Sequence, residues 1–78
     1  MPRLKCTFRE FIAIIEAHGF ALHRHDGTSH RIYRGVVGGE VRYVTVAFHG
    51  INDDVLTGTL LSMIRQSGLP RFLFEAAE

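Results

Sequence analysis

The spacing of apolar residues changes along the chain, and each change predicts a different element. The first apolar series has helical spacing and comprises Phe8, Phe11, Ile12 and Ile15. Thr7 and Glu10 precede and overlap it as a T-x-x-E capping box, and Gly19 stands where a helix C-terminus favours glycine. The pattern predicts a first helix over residues 8–18.

Beyond this helix the apolar period shortens to two, which is typical of strands. Phe20 and Leu22 alternate with smaller or polar residues and predict a half-buried strand that ends near His25. Two further strands are predicted over residues 30–37 and 41–48. Residues 26–29 form a turn by composition, and the Gly38-Gly39 dipeptide favours a tight hairpin. Three strands joined by two short turns indicate an antiparallel meander.

A second helix follows, with Thr57 or Thr59 as its N-cap and Gly68 at its end. Its apolar positions are Leu60, Met63, Ile64 and Leu61, and a short helical turn at residues 72–74 is expected to pack back on the core. The predicted fold is α+β, in the order α-β-β-β-α, with a three-stranded antiparallel sheet. Since each helix has one apolar stripe, both helices should cover the same face, leaving the other face to arginines and histidines.

Length and composition limit the class of protein. The 78 residues predict one domain, 1–78, whose 46% apolar content is typical of a globular chain. The single cysteine excludes an intrachain disulfide and favours a reducing, cytoplasmic location. No apolar run approaches the roughly 18 residues of a membrane span, and the first residues do not resemble a secretory signal. We therefore expect no membrane association.

The formal net charge of +1 hides an asymmetry. Residues 1–42 carry a net charge of +3 and residues 43–78 a net charge of −2. The positive half includes four arginines in predicted strands: Arg24, Arg31, Arg34 and Arg42. Because guanidinium groups bind phosphates through paired hydrogen bonds, this half is a candidate surface for a polyanion. The alternative is an ordinary solvated strand face.

The densest polar cluster spans residues 24–34, on a predicted turn and the adjoining strand ends. His30 lies there between Ser29 and Arg31. An imidazole exchanges protons near neutral pH, and cleavage of RNA without a metal needs a base for the 2′-hydroxyl together with positive charge for the phosphate. The alternative for His30 is an exposed polar residue without a chemical role.

Other chemistries are less well supported by the sequence. His23 and His25 are spaced to project from one strand face, and His30 and His49 could join them, but no cysteine pair or HExxH motif accompanies them. We expect no metal and no cofactor.

Three further residues have simple interpretations. Ser29 is not part of a nucleophile elbow. Cys6 has no evident base beside it and is expected to be inert. His18 suits a helix C-terminus.

The order of several short segments resembles the HicA (YcfA-like) toxins, small mRNA interferases of bacterial and archaeal toxin–antitoxin modules. The segments are Gly19-Phe20, Arg24, the run 27–34 (GTSHRIYR), the run 44–49 (VTVAFH), Gly58-Thr59-Leu60, Ile64 and Gly68-Leu69. The resemblance extends from Thr7 to about Phe74.

This resemblance implies a fold similar to the double-stranded RNA-binding domain and cleavage of RNA that depends on the histidine of a G-S-H motif, here His30. It also implies a HicB-type antitoxin that binds the toxin and blocks this site. Two departures stand out. Thr28 lengthens or alters the G-S-H turn, and Ala47 replaces a usual proline, which restores a backbone N–H and permits a longer strand.

The sequence therefore predicts a metal-independent ribonuclease. The expected catalytic residue is His30, with His49 as a candidate second acid or base, and the expected RNA-binding residues are Arg24, Ser29, Arg31 and Arg34. Its expected partners are mRNA and a HicB-like antitoxin. The alternative is a non-catalytic module of the same fold that binds RNA or antitoxin, as a decayed toxin would, and a third possibility is a purely structural interaction domain.

Overall fold

The computed structural model describes residues 3–27 and 29–76, and they form the predicted α+β fold. The elements are β1 (Arg3–Leu4), α1 (Phe8–Ala17), β2 (Ala21–Asp26), β3 (His30–Val37), β4 (Glu40–Ala47), α2 (Thr57–Ser67), a 3₁₀ turn (Arg71–Phe74) and β5 (Glu75–Ala76). The predicted order α-β-β-β-α is confirmed. The antiparallel pair β1–β5 is an addition, because strands of two residues show no periodicity in a sequence.

Helix α1 begins as its capping box predicts. The backbone N–H of Glu10 donates to Thr7 Oγ1 at 3.1 Å, and the N–H of Thr7 donates to Glu10 Oε1 at 2.8 Å. These reciprocal bonds satisfy two amides that a helix N-terminus leaves without partners. The helix ends at Ala17, and Gly19 then turns the chain with a φ of +92°. The predicted end is one residue too long.

Helix α2 corrects one expectation. Neither Thr57 nor Thr59 caps it: the N-cap is Leu56, without a side-chain hydrogen bond. The chain just before the helix is held instead by a backbone hydrogen bond, in which the N–H of Val55 donates to the carbonyl of Cys6 at 2.8 Å. Both threonines thus lie inside the first turn. The predicted stop at Gly68 is confirmed, with a φ of +70°.

The sheet has the order β2-β3-β4 and is antiparallel throughout. The β3–β4 hairpin turns at Gly38 and Gly39, whose φ values of +59° and +81° suit a type I′ turn. Residues 27–29 join β2 to β3, with Gly27 at a φ of +64°. A bulge interrupts β2 between Leu22 and Arg24.

Both helices cover one face of the sheet, as predicted. Tyr33, Val44 and Val46 are buried there in a cluster with the apolar stripes of α1 and α2. The stripes consist of Phe11, Ile12 and Ile15 from α1, and Leu60, Met63 and Ile64 from α2. Phe74, from the 3₁₀ turn, stacks on Phe11 with ring centroids 5.1 Å apart. The expected return of the C-terminal turn to the core is therefore confirmed.

The prediction that β2 is half-buried is wrong. Leu22 is 50% exposed and every other side chain of the strand is exposed or only partly covered. Because β2 lies at an edge of the sheet and is bulged, the buried ring of Phe20, just before the strand, supplies the core contact instead. The face of the sheet away from the helices is called the open face below.

Candidate active site

His30 is the first residue of β3 and lies on the open face. Side chains alternate along a strand, and because Tyr33 is buried on the helix side, His30, Ile32 and Arg34 point to the open face. The register partners of His30 are Asp26 on β2 and Ala47 on β4. The imidazole is exposed, so a large substrate has access to it.

Ser29 ties the turn before His30 to the end of β4. Its carbonyl accepts a hydrogen bond from the N–H of Phe48 at 3.1 Å, which links the residue before β3 to the residue after β4. Its Oγ lies 3.4 Å from His30 Nδ1, a long contact that can orient the ring but holds it weakly. The altered G-S-H turn depends on Thr28, which lies outside the described residues.

Arg24 is paired with an acidic residue that sequence reasoning missed. Its Nε donates to Asp26 Oδ1 at 2.7 Å, and both side chains are about half exposed or more. An exposed pair of this kind contributes only about 0–1 kcal/mol to folding, so its significance is positional. Asp26 lies directly across from His30 in the β2–β3 register. The sequence does indicate this position of Asp26, because a short turn that begins with Asp-Gly pairs the residues on either side of it, here Asp26 and His30.

The two arginines of β3 lie on opposite faces of the sheet. Arg34 is exposed on the open face with His30. Arg31 lies on the helix side, where its guanidinium carbon sits 5.0 Å from the centroid of the Phe48 ring. An odd separation of three residues along a regular strand requires this divergence. The structure therefore brings Arg34 and Arg24 to the face of His30, and it does not bring Arg31 there.

His49 follows the end of β4, two residues after Ala47. It lines a cavity of about 310 Å³ together with two carboxylates, Asp53 and Asp54, and with apolar and hydroxyl-bearing side chains. The remaining lining residues are Phe8, Ala47, Phe48, Leu56 and Thr59. Ala47 is the last residue of β4, so the strand does extend to the position where the family has proline. Ala47 is thus both the register partner of His30 and the residue two positions before His49.

The histidine pair of β2 is divided by the bulge. The ring of His23 stands edge-on to Tyr43 on the open face, with centroids 5.4 Å apart. His25 pairs in register with Arg31 and so belongs to the helix side. The expectation that both imidazoles share one strand face is wrong, because the bulge shifts the alternation by one residue. Among residues 3–27 and 29–76, no group of three or more His, Cys, Asp or Glu side chains is placed to hold a metal ion.

Cys6 and His18 lie away from this face. Cys6 is buried, its Sγ donates to the carbonyl of Phe74 at 3.4 Å, and burial together with the nearby Glu10 raises the pKa of the thiol to about 11. His18 caps α1, with Nδ1 2.8 Å from the carbonyl of Ile14. Both placements are structural.

Comparison with protein families resolves the class of protein. Residues 8–69 match the family model described as the HicA toxin of bacterial toxin-antitoxin. The chain belongs to the HicA toxin family. The match covers both helices and the whole three-stranded sheet of this HicA-family chain, including His30, Arg24, Arg31 and Arg34.

Searches of curated proteins and of solved structures gave no significant match. Membership therefore rests on the family model together with the fold, and it assigns the HicA-family chain to the toxins of toxin–antitoxin systems. Within the described part of the chain, neither helix has the length and apolar content needed to cross a bilayer.

Proposed function

We propose that this HicA-family toxin is an endoribonuclease that cleaves mRNA through His30. The observation that carries the proposal is the position of His30: it is exposed at the start of β3, on a sheet face that also presents Arg34 and Arg24. Membership of a toxin family supports it, because such a toxin must act on an essential cellular component. Arginine beside an exposed imidazole is the combination that phosphodiester cleavage needs.

The proposed reaction is a transesterification. His30 removes the proton from a ribose 2′-hydroxyl, and the freed oxygen attacks the adjacent phosphorus. The bond from phosphorus to the 5′-oxygen of the next nucleotide breaks, and that oxygen takes up a proton. The products carry a 2′,3′-cyclic phosphate and a 5′-hydroxyl, and no oxidant, reductant or metal enters the balance. Arg24, two residues before the register partner of His30 on β2, stabilises the charge that accumulates on the phosphorane oxygens, and Arg34, four residues along β3, holds a flanking phosphate.

His49 is the proposed source of the second proton. It lies two residues beyond Ala47, which is paired with His30 across the β3–β4 ladder. In this scheme His30 acts as the base and His49 protonates the leaving oxygen. In this scheme Ser29 orients the ring of His30, consistent with the 3.4 Å contact between their side chains.

Arg24 and Arg31 have different positions in this scheme. Arg24 is held by Asp26, so a phosphate must compete with that carboxylate for its guanidinium. Arg31 must leave the ring of Phe48 to reach a phosphate on the open face. We therefore assign the phosphate contact that needs no displaced partner, on a flanking nucleotide, to Arg34, and binding by Arg31 stays a prediction.

A HicB-type antitoxin is the proposed protein partner. Because His30 is exposed at the start of the central strand β3, an inhibitor must cover part of the open face to exclude RNA. The proposed site of action is the cytoplasm, where the mRNA substrate is found.

Expression in a bacterial host tests this assignment. Expression of the chain is expected to arrest growth and to convert full-length mRNA into shorter fragments, and co-expression of the cognate antitoxin should restore growth. His30→Ala at equal protein level should leave growth unaffected. Growth arrest by His30→Ala would contradict the assignment of the catalytic residue. A chain that binds RNA tightly without cleaving it would instead be the non-catalytic module.

A further inference from the structure

The open face carries an aromatic side chain that the core does not use. The chain has two tyrosines. Tyr33 is 2% exposed and belongs to the core, whereas Tyr43, near the middle of β4, is 49% exposed. A tyrosine ring standing on a solvated sheet face leaves a large π surface in contact with water, and such surfaces are where proteins stack nucleobases or pack partners.

Neighbouring side chains hold this ring in place. His23 contacts it edge-on, with centroids 5.4 Å apart and an interplanar angle of 64°. This contact exists because the β2 bulge moves His23 to the open face. The edge-on arrangement braces Tyr43 from the side, and half of its surface remains accessible.

Positive charge lies beside the ring. Arg34 is the register partner of Tyr43 across the β3–β4 ladder, and it forms no ion pair within the described residues. Among the described residues of the open face, the one acid, Asp26, is paired with Arg24. An anionic chain lying along β3 and β4 therefore meets a free guanidinium next to an exposed aromatic ring.

The distance from the ring to His30 defines which part of a substrate it can reach. Arg34 follows His30 by four residues, and at about 3.3 Å per residue with strands about 4.8 Å apart, Tyr43 stands about 14 Å from His30 along the face. A base at Tyr43 is therefore not the one whose 2′-hydroxyl reacts at His30. It belongs to a flanking nucleotide.

We propose that Tyr43 is a stacking platform for a base of single-stranded RNA that flanks the cleaved nucleotide, with Arg34 holding the phosphate beside it. This proposal rests on the proposed function, since it takes RNA as the ligand, and it names the class of RNA. Bases within a duplex are already stacked on one another and present no free face to Tyr43, whereas an unpaired strand can lay its bases on the sheet.

A protein partner is the competing occupant of the same surface. Val36 and Val41 form an exposed apolar pair one step further along the β3–β4 ladder. The free arginine at the ring favours RNA, and the apolar pair is not needed for stacking. Val41 thus supplies a matched control: it is on the same strand and face as Tyr43, and 47% exposed.

Binding should be measured in the His30→Ala background, so that RNA is not consumed. The probes are a fluorescent single-stranded oligoribonucleotide and a hairpin duplex of the same composition. Adding Tyr43→Ala should weaken single-strand binding about 5- to 150-fold, the range for loss of one stacked base. Tyr43→Phe and Val41→Ala should bind within about twofold of the parent, and all proteins should bind the duplex more weakly than the single strand.

Three results would overturn the proposal. They are equal single-strand binding by the parent and Tyr43→Ala, equal loss in Val41→Ala, and duplex binding as tight as single-strand binding. If Tyr43→Ala binds RNA normally but is no longer neutralised by the antitoxin, the face belongs to the protein partner. Cleavage by the His30→Ala protein would contradict the proposed function and leave the stacking result standing, so the two failures are distinguishable.

Discussion

Replacing Gly35 by alanine tests the close approach of Phe20 to the sheet. A Cβ at position 35 would lie 2.7–2.8 Å from three atoms of the Phe20 ring. Carbon atoms in contact normally stand about 3.5–4.0 Å apart, so the ring must retreat by roughly 1 Å. Phe20 is only 3% exposed and has no open side to move into. Overpacking of this kind costs about 1–3 kcal/mol.

That loss is large for a chain of this size. Typical stabilities per residue give 78 residues about 4–12 kcal/mol in total, and 1 kcal/mol shifts the Tm of such a domain by about 4–8 °C. Urea unfolding followed by circular dichroism should show a lower midpoint for Gly35→Ala. Gly58→Ala is the matched control: a Cβ there meets nothing within 4 Å, and alanine favours the helix by about 0.5–1 kcal/mol.

A double-mutant cycle separates this clash from other effects of the substitution. In a Phe20→Leu background the ring is absent, and Gly35→Ala should cost less than in the parent. An unchanged unfolding midpoint for Gly35→Ala, or the same cost in both backgrounds, would show that the Phe20 ring does not clash with a Cβ at position 35.

Two further predictions concern charge and ionisation. Arg34→Ala should weaken RNA binding more than Arg31→Ala, as measured by binding isotherms. Arg31→Ala should lower the free energy of unfolding in urea by about 0.5–1 kcal/mol, because its contact with Phe48 is lost. The reverse ranking of the two variants in RNA binding would contradict the placement of the arginines. The Cys6 thiol, whose pKa is raised from 9.0 to about 11, should resist iodoacetamide at pH 8 in the folded protein and react after unfolding. Because the thiolate of Cys6 is less stable in the folded protein than in the unfolded chain, the buried thiol contributes fully to the free energy of unfolding below pH 9. This contribution is lost as the pH rises toward 11. Rapid alkylation of the native protein would contradict its burial.

Local patterns predicted the parts of the fold that local forces determine. The capping box at Thr7 and Glu10 and the hairpin at Gly38-Gly39 are each specified by residues a few positions apart, and both formed as expected. The start of α2 was not predictable in this way. A backbone hydrogen bond between Val55 and Cys6, distant in the sequence, sets it in place of the threonine cap.

In the candidate site, too, some features follow from local sequence and others from pairing between strands. Its position at the start of β3 follows from the polar run 24–34, but its composition depends on which face each side chain takes. Strand alternation alone separates Arg31 from Arg34, given that Tyr33 is buried. The bulge that moves His23 to Tyr43 and divides it from His25 arises from pairing between strands, and no spacing in the sequence indicates it.

The central claim is that His30 performs the chemistry, and cleavage by purified protein tests it most directly. The chain, His30→Ala and His25→Ala would be incubated with one unstructured mRNA, with and without EDTA. His25 is the matched control, an exposed histidine of the adjacent strand that belongs to the helix side of the sheet. The parent and His25→Ala should cleave equally, with or without EDTA, and His30→Ala should cleave about 10²- to 10⁴-fold more slowly. Cleavage by His30→Ala at the parental rate, or cleavage abolished by EDTA, would contradict it.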